Sequence, residues 1–309
     1  MNDDLNRLGI HDSVSTVFPP AELATELADL PFDVTVTDDE GLERCDAVVT
    51  FEHREAFHDL AWVHSIQAGV DRFPFESFGS KGVVLTNSAG IHGRSVGETV
   101  GGFMLAFARR LHRNVEHATD RRWSPPEWNE AFTLPGTAAC VVGTGTLGRG
   151  VATVAGALDV SMIGVRRSAD SVPGFEEVYA VDELHAAIED VKFVVSTLPL
   201  TEETHHLFGS DEFAAMGEDA YFINVGRGPV VDEAALIEAL RGSDLAGAAL
   251  DVFETEPLPE DSPLWGMDDV IVTPHCAAFT REYYRDVAEL VRENVRRMDD
   301  GEELRNRIV

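Results

Sequence analysis

Lysine is almost absent from this chain of 309 residues, in which only Lys81 and Lys192 carry that side chain. Its 24 basic residues face 55 acidic ones, so the formal net charge is −31 at pH 7. Such an acid excess argues against binding to nucleic acid or to an anionic membrane. Dispersed acidic residues with little lysine favour a halophilic protein, because molar salt screens the self-repulsion. A generic acidic mesophilic protein is the alternative.

Cysteine and long apolar runs are also scarce. Cys45, Cys140 and Cys276 form no paired motif with one another or with histidine, so no metal site is expected. Free thiols of a cytoplasmic protein are the simplest account of three cysteines. No run of 18 apolar residues predicts a membrane span. The first residues, Met1-Asn-Asp-Asp4, lack the basic and apolar regions of a signal peptide.

The chain does contain many short apolar runs that alternate with helical stretches. Predicted strands lie at residues 13–18, 34–37, 47–50, 62–66, 83–86, 137–142, 160–165, 221–225, 246–250 and 270–273. Apolar residues at helical spacing predict helices at 19–30, 95–112 and 283–298, with Ser95 as N-cap of the second and Glu98 completing a capping box. This alternation predicts parallel sheets with helices on both faces.

Three ionisable residues follow three of these predicted strands. Arg227, Glu256 and His275 come after the runs 221–225, 246–250 and 270–273. Ligands of open α/β sheets bind beyond the carboxyl ends of parallel strands. An arginine can bind carboxylate and carbonyl oxygens, and a histidine held charged by a carboxylate can give or take a proton. The pattern predicts a site for an anionic carbonyl substrate. The alternative is that the three are unrelated surface residues at the starts of loops.

A glycine-rich segment, Gly143-Thr-Gly-Thr-Leu-Gly148, lies between the predicted strand 137–142 and a plausible helix. In that context the spacing indicates dinucleotide binding. Gly143 permits the tight turn, Gly145 lets the backbone approach a pyrophosphate, and Gly148 lets the helix pack on its strand. Thr144, Thr146 and Leu147 complete the loop, and the helix N-terminus attracts the anion. A glycine-rich turn without a ligand is the alternative.

The next predicted strand leads into Arg166, Arg167 and Ser168. An NAD-binding chain would carry an acidic residue in this region to bind the ribose 2′-hydroxyl. Two cations and a hydroxyl suit a 2′-phosphate instead. The sequence therefore predicts that NADP(H) is preferred and that NAD(H) is possible, with a solvated turn as the alternative.

These motifs, with several further segments, resemble the D-isomer-specific 2-hydroxyacid dehydrogenase family over nearly the whole chain. The further segments are Ala68-Gly-Val-Asp71, Asn87-Ser-Ala-Gly90, Ser95-Val-Gly-Glu98, Leu198-Pro-Leu-Thr201, Asn224-Val-Gly-Arg-Gly228, residues 249–257 and Thr273-Pro-His-Cys-Ala-Ala278. The double arginine, Pro257-Leu-Pro259 and Pro263-Leu-Trp265 are most similar to the glyoxylate/hydroxypyruvate reductase branch.

The resemblance implies two doubly wound parallel-sheet α/β domains with a cleft between them. Residues 1–91 and 276–309 would form a discontinuous flavodoxin-like substrate domain, and residues 92–275 a Rossmann-type NAD(P)-binding domain. The implied activity is stereospecific, NAD(P)H-dependent reduction of small 2-oxoacids to D-2-hydroxyacids by a homodimer. Glyoxylate/hydroxypyruvate reductase specificity is one alternative. A non-catalytic, cofactor-sensing regulator and a formate dehydrogenase, which would carry Gln at position 256, are the others.

The resemblance also implies residue roles. Arg227 would bind and polarise the 2-oxoacid, His275 would be the acid and base, and Glu256 would keep His275 protonated, with Glu254 as the other candidate carboxylate. The backbone of Ala68, Gly69 and Val70 would bind the substrate carboxylate. Asp251 would bond the nicotinamide amide and Val96 would lie against the ring. Further implied cofactor contacts are Leu198, Pro199, Thr204, Val225, Gly226, Arg227, His275, Ala277 and Ala278.

Four departures from the family pattern lie beside the expected substrate pocket. His92 stands where many members have asparagine, Ala89 replaces a proline, and Gly97 and Thr99 differ from the commonest residues of their helix. The substrate side chain is therefore left open by the sequence.

Overall fold

The computed structural model describes residues 5–309, which form two compact units. Residues 5–91 and 279–309 make the first unit, and residues 92–278 make the second. The chain returns to the first unit between Ala278 and Phe279, whereas the sequence places that crossing between His275 and Cys276. Residues 1–4 of the predicted first domain lie outside the described residues.

Twelve β-strands and nine α-helices occur in residues 5–309. The strands are β1 (Arg7–His11), β2 (Asp33–Thr37), β3 (Ala47–Thr50), β4 (Trp62–Ser65), β5 (Val84–Asn87), β6 (Ala138–Val142), β7 (Ser161–Arg166), β8 (Glu177–Ala180), β9 (Phe193–Ser196), β10 (Tyr221–Asn224), β11 (Gly247–Leu250) and β12 (Val270–Val272). The helices are α1 (Pro20–Glu26), α2 (Phe75–Lys81), α3 (Gly93–Ala108), α4 (Leu111–Thr119), α5 (Thr146–Gly156), α6 (Leu184–Ile188), α7 (Ser210–Ala215), α8 (Glu233–Gly242) and α9 (Tyr283–Asp300). Short 3₁₀ helices span Asp12–Thr16, Leu42–Arg44, Glu55–Asp59, Val181–Glu183, Gly228–Val230 and Pro263–Gly266. No helix in this part of the chain is long and apolar enough to cross a bilayer.

The first unit contains a parallel sheet in the order β2-β1-β3-β4-β5. This is the strand order of a flavodoxin-like doubly wound sheet. The C-terminal segment completes the unit, because Tyr283 Oη donates to Ile66 O at 2.7 Å and Thr86 bridges to Arg307.

The second unit contains a seven-stranded parallel sheet in the order β12-β11-β10-β9-β6-β7-β8. Strand β6 lies at the point where the order reverses, which is where dinucleotides bind in Rossmann sheets. Its residues alternate between two cores: Cys140 and Val142 join one, and Ala139 and Val141 join the other. A strand buried on both faces is apolar throughout, which explains why it appears as an uninterrupted apolar run. The predicted fold class of two parallel-sheet α/β units is confirmed.

Several sequence-based boundaries are wrong. The predicted strand 13–18 is instead a 3₁₀ helix at Asp12–Thr16, and the strand lies earlier, at Arg7–His11. Helix α3 begins at Gly93, so Ser95 is not its N-cap; Ser95 Oγ donates to His92 O at 3.1 Å. The predicted helix 95–112 is broken at Arg110, whose φ of 51° is left-handed.

Candidate active site

Arg227, Glu256 and His275 follow three neighbouring strands of the second unit. Strands β10, β11 and β12 run parallel and adjacent, so their carboxyl ends share one sheet edge. His275 Nδ1 lies 2.8 Å from Glu256 Oε2. The other carboxylate oxygen, Oε1, accepts from Phe253 N at 3.2 Å. Arg227 is partly buried, and its Nη1 donates to Gly226 O at 2.8 Å.

Glu254, the other candidate carboxylate, is engaged elsewhere. Its Oε1 lies 3.0 Å from His206 Nε2 and accepts from Glu233 N at 3.2 Å. The structure therefore brings Glu256, and not Glu254, into contact with His275. The family resemblance favours Glu256 because it stands just before Pro257, and in the structure Glu254 contacts other residues.

Asp251 holds the turn that carries His275. It is 2% exposed, and its Oδ1 accepts from Thr273 Oγ1 at 2.7 Å and from Cys276 N at 2.9 Å. Its Oδ2 accepts from Ala277 N at 3.0 Å, and its main-chain oxygen accepts from His275 N at 2.8 Å. These bonds hold His275 at a φ of 50°, a region that non-glycine residues seldom adopt. This organising role is not visible in the sequence.

The glycine-rich loop has the geometry of a pyrophosphate cradle. Gly143 has a φ of 104°, and a Cβ there would lie 2.9 Å from Thr197 Oγ1, so only glycine fits. Gly145 precedes the first turn of α5 and has open space where a Cβ would point. Among the described residues no side chain caps α5, so its first N–H groups remain available to an anion. The residues present therefore fit a dinucleotide.

Arg166, Arg167 and Ser168 lie at the carboxyl end of β7, the strand next to β6. All three are exposed, and Ser168 Oγ donates to Asp170 Oδ2 at 2.7 Å. Two exposed arginine side chains thus lie at the same edge of the sheet as the glycine-rich loop.

The loops after β9 and β10 pack directly on each other. A Cβ on Gly226 would lie 2.5 Å from Leu198 O, and Val225 N donates to Ser196 O at 3.1 Å. Thr204 Oγ1 donates to Pro199 O at 2.7 Å, which closes the loop after β9. Val96 and Ala277 are buried in the second unit, where Thr99 Oγ1 donates to Ala277 O at 2.9 Å.

The remaining predicted substrate residues, Ala68, Gly69 and Val70, belong to the first unit. They follow β4, and Asn87 Nδ2 donates to Ala68 O at 2.6 Å. Phe73 N donates to Val70 O at 2.9 Å, so the loop is held by bonds at both ends.

The positive charge of Arg227 acts on His92, a relationship that the sequence does not predict. It is 6% exposed, and burial together with the positive charge of Arg227 lowers the pKa of His92 to about 4. The ring is therefore neutral at neutral pH. The only signal in the sequence was that histidine replaces the asparagine of many relatives.

A Rossmann-type sheet with a dinucleotide cradle, and an arginine, a carboxylate and a histidine at one edge, define an NAD(P)-dependent dehydrogenase. Residues 101–277 match the family model described as D-isomer specific 2-hydroxyacid dehydrogenase, NAD binding domain. The chain belongs to the D-isomer specific 2-hydroxyacid dehydrogenase family, whose members are NAD(P)-dependent oxidoreductases acting on small 2-oxoacids and 2-hydroxyacids. The predicted family and reaction class are confirmed.

Individual relatives agree with this assignment. The chain is 35% identical over 246 residues to glyoxylate/hydroxypyruvate reductase B of Escherichia fergusonii, covering 78% of this chain and 75% of that one. A family member from Aeromonas salmonicida superposes with a TM-score of 0.87 at 31% identity, covering 99% of both chains. The NADPH-dependent glyoxylate/hydroxypyruvate reductase of Sinorhizobium meliloti, solved with NADP and sulfate, gives a TM-score of 0.82 at 28% identity and 98% coverage of both.

Proposed function

We propose that this enzyme reduces small 2-oxoacids of the glyoxylate and hydroxypyruvate class to 2-hydroxyacids, with NADPH as the preferred cofactor. The observation that carries the proposal is the 2.8 Å contact between His275 Nδ1 and Glu256 Oε2, at the sheet edge that Arg227 also occupies. The names of the relatives from E. fergusonii and S. meliloti support the substrate class.

In this proposal Arg227 binds the substrate carboxylate and the carbonyl oxygen through charged hydrogen bonds. The same guanidinium stabilises the negative charge that grows on the carbonyl oxygen during reduction. The main chain of Ala68, Gly69 and Val70 is proposed to bind the substrate carboxylate. When bound, the nicotinamide cofactor supplies the hydride to the carbonyl carbon.

His275 is the proposed proton donor to the carbonyl oxygen. Because Nδ1 faces Glu256, Nε2 is the nitrogen left to meet the substrate. Glu256 favours the imidazolium over the neutral ring, because an opposite charge stabilises the protonated form. Reduction uses the imidazolium as acid, and oxidation uses the neutral ring as base.

The cofactor is assigned to the glycine-rich loop and its neighbours. The pyrophosphate would meet Gly143–Gly148 and the N-terminus of α5, which no side chain caps. Arg166 and Arg167 are proposed to bind the 2′-phosphate, with Ser168 beside them. The other proposed cofactor contacts are Val96, Leu198, Pro199, Thr204, Val225, Gly226, Asp251, Ala277 and Ala278.

The working form is proposed to be a homodimer. Trp123 and Trp128, on the irregular segment between α4 and β6, are 100% and 97% exposed. Two fully exposed tryptophans are unusual on a monomer surface and typical of interfaces. A largely apolar groove of about 770 Å³ between α3 and α5 of the same unit supports the same proposal.

The acidic surface is proposed to be an adaptation to molar salt in the cytoplasm. The net charge of −31 and the two lysines support the halophilic part. Cys45, Cys140 and Cys276 are free thiols in the structure, which supports a reducing compartment.

A steady-state panel tests the proposed function. Glyoxylate, hydroxypyruvate, pyruvate and a branched 2-oxoacid are each assayed with NADPH and with NADH. The proposal expects the highest kcat/KM for glyoxylate or hydroxypyruvate with NADPH. A preference for the branched 2-oxoacid would overturn the substrate class, and equal kcat/KM with both cofactors would overturn the NADPH preference.

A further inference from the structure

Two histidines and a glutamate converge in the first unit, whereas the proposed cofactor-binding motifs belong to the second. They come from one short segment, His53-Arg-Glu-Ala-Phe-His58, in which the 3₁₀ helix Glu55–Asp59 folds Glu55 toward both rings. Glu55 Oε1 lies 3.8 Å from His53 Nε2, and Glu55 Oε2 lies 3.5 Å from His58 Nδ1. One candidate ligand atom from each residue lies within 4.8 Å of the other two. Within residues 5–309, no other three His, Cys, Asp or Glu side chains converge in this way.

The ring of His58 is held in place by its neighbours. Its side chain is 8% exposed, its Nε2 lies 2.8 Å from Ser77 Oγ, and its edge packs on Phe78 with centroids 5.0 Å apart. A metal-bound histidine commonly uses one ring nitrogen for the metal and gives the other to such a partner. Nδ1 also lies 2.9 Å from Glu55 O, a contact that a bound ion would replace.

His53 is held by aromatic packing. Its ring meets those of Phe57 and Phe73 at centroid distances of 5.9 Å each, and its side chain is 19% exposed. His53 Nδ1 is buried and has no hydrogen-bond partner within residues 5–309. Burying an unpaired polar atom is unfavourable, so Nδ1 gives no structural reason for a histidine at position 53. A role for the other nitrogen, which faces Glu55, does account for it.

We infer that His53, Glu55 and His58 bind one divalent ion of the class that prefers imidazole, such as Zn²⁺ or Co²⁺. Metal–ligand bonds of about 2.0–2.2 Å place the ligands of a tetrahedral site about 3.4 Å apart. The separations of 3.5 and 3.8 Å are already close to that value. Glu55 is 93% exposed, so its carboxylate can move to complete the site without disturbing the core. Three protein ligands leave a fourth position for water.

Titration of the full chain with Co²⁺ tests this inference. The protein is first treated with a chelator, and the titration is run in about 2 M KCl with excess Mg²⁺, because the acidic surface collects cations non-specifically at low salt. The inference expects saturable uptake of one Co²⁺ per chain, with a visible spectrum typical of a four-coordinate site, and displacement by Zn²⁺. Absence of saturable uptake would overturn it.

Matched variants locate the ion. His53→Asn and His58→Asn should abolish uptake, and Glu55→Gln should weaken it about tenfold or more, since even outer partners of a metal site contribute that much. Glu55→Gln keeps the test decisive if the histidine variants fold poorly, because position 55 is exposed. His185→Gln removes a comparable His–Glu pair, His185 and Glu212 at 2.9 Å, and should leave uptake unchanged, as should His275→Asn. Uptake that survives Glu55→Gln at full affinity, or that His275→Asn abolishes, would overturn the assignment.

Discussion

His275 and Glu256 are 19 positions apart in the chain, yet Nδ1 of the first lies 2.8 Å from Oε2 of the second. The sheet produces this contact, because the two residues follow the adjacent parallel strands β12 and β11. Phe253 N fixes the remaining carboxylate oxygen. The histidine side chain is 36% exposed and the glutamate side chain 29%, so water reaches both.

Asp251→Asn should lower kcat by about tenfold or more while the chain still folds. An amide can accept at only one of the two oxygen positions, so the bond from Ala277 N or those from Thr273 and Cys276 are lost. Each charged hydrogen bond contributes about 1.5–3 kcal/mol. The kcat, the KM for the cofactor and the melting midpoint are measured together.

Thr273→Val is the matched control for Asp251, because it removes only one of the three donors to the Asp251 carboxylate and leaves the two main-chain donors in place. Its kcat should fall less than that of Asp251→Asn. If the two variants lose kcat equally, the turn does not depend on Asp251 as described.

Replacing Arg166 and Arg167 together by serine should raise the KM for NADPH about tenfold or more and leave the KM for NADH nearly unchanged. The reason is that a lost charged hydrogen bond to the 2′-phosphate is worth about 1.5–3 kcal/mol. Arg241→Ser, on α8, is the control and should change neither KM. An equal rise for both cofactors would show that the two arginines contribute to a shared part of the cofactor or to folding.

Below pH 6.5, His64 should make the first unit less stable as the pH falls. Burial lowers the pKa of His64 to about 3, and the ring is hydrogen-bonded to Thr86 and Ser88. The unfolded chain takes up the proton near pH 6.5 and the folded one does not, so the stabilisation is complete above that pH and declines as the pH falls toward 3. The free energy of unfolding should therefore fall by about 1.4 kcal/mol for each pH unit.

His64→Gln should reduce this slope, whatever it does to absolute stability. Urea unfolding of both proteins at several values between about pH 7 and pH 5 measures it. An unchanged slope in the variant would mean that other groups control the acid response.

Activity and the melting midpoint should rise between about 0.05 and 2 M KCl, because the Debye length falls severalfold over that range. The cause is the net charge of −31, whose self-repulsion is unscreened at low salt. Full activity and a constant midpoint across the range would contradict the halophilic proposal.

The sequence was most informative where a motif is local. The strand, glycine loop and helix around Gly143–Gly148 could be predicted because the glycine spacing is a local motif: Gly143 has a positive φ, and a Cβ on Gly148 would clash with Gly143 O. Strand β1 was misplaced for the opposite reason. Its residues include Gly9 and a buried His11, which do not form an apolar run, and Gly9 is small because a Cβ there would lie 2.8 Å from Thr37 Cγ2 of the neighbouring strand.

The pairing of Glu256 with His275 is predicted only through the family resemblance, in which Glu256 occupies the position just before Pro257. In the structure the contacts separate the two carboxylates, because Glu254 meets His206 and Glu256 meets His275. The support that Asp251 gives to the turn at 273–277 depends on how two strands align. The convergence of His53, Glu55 and His58 is not predicted from the sequence, because it depends on how the 3₁₀ helix Glu55–Asp59 folds.

The pH–rate profile of 2-oxoacid reduction by Glu256→Gln tests the central claim most directly, with Glu254→Gln as the matched control. Glutamine keeps the shape and removes the charge that favours the imidazolium, so the fall in reductive rate should move toward acid. Activity at acid pH should largely survive, and Glu254→Gln should leave the profile in place. A profile unchanged by Glu256→Gln, or shifted by Glu254→Gln instead, would contradict the pairing of Glu256 with His275.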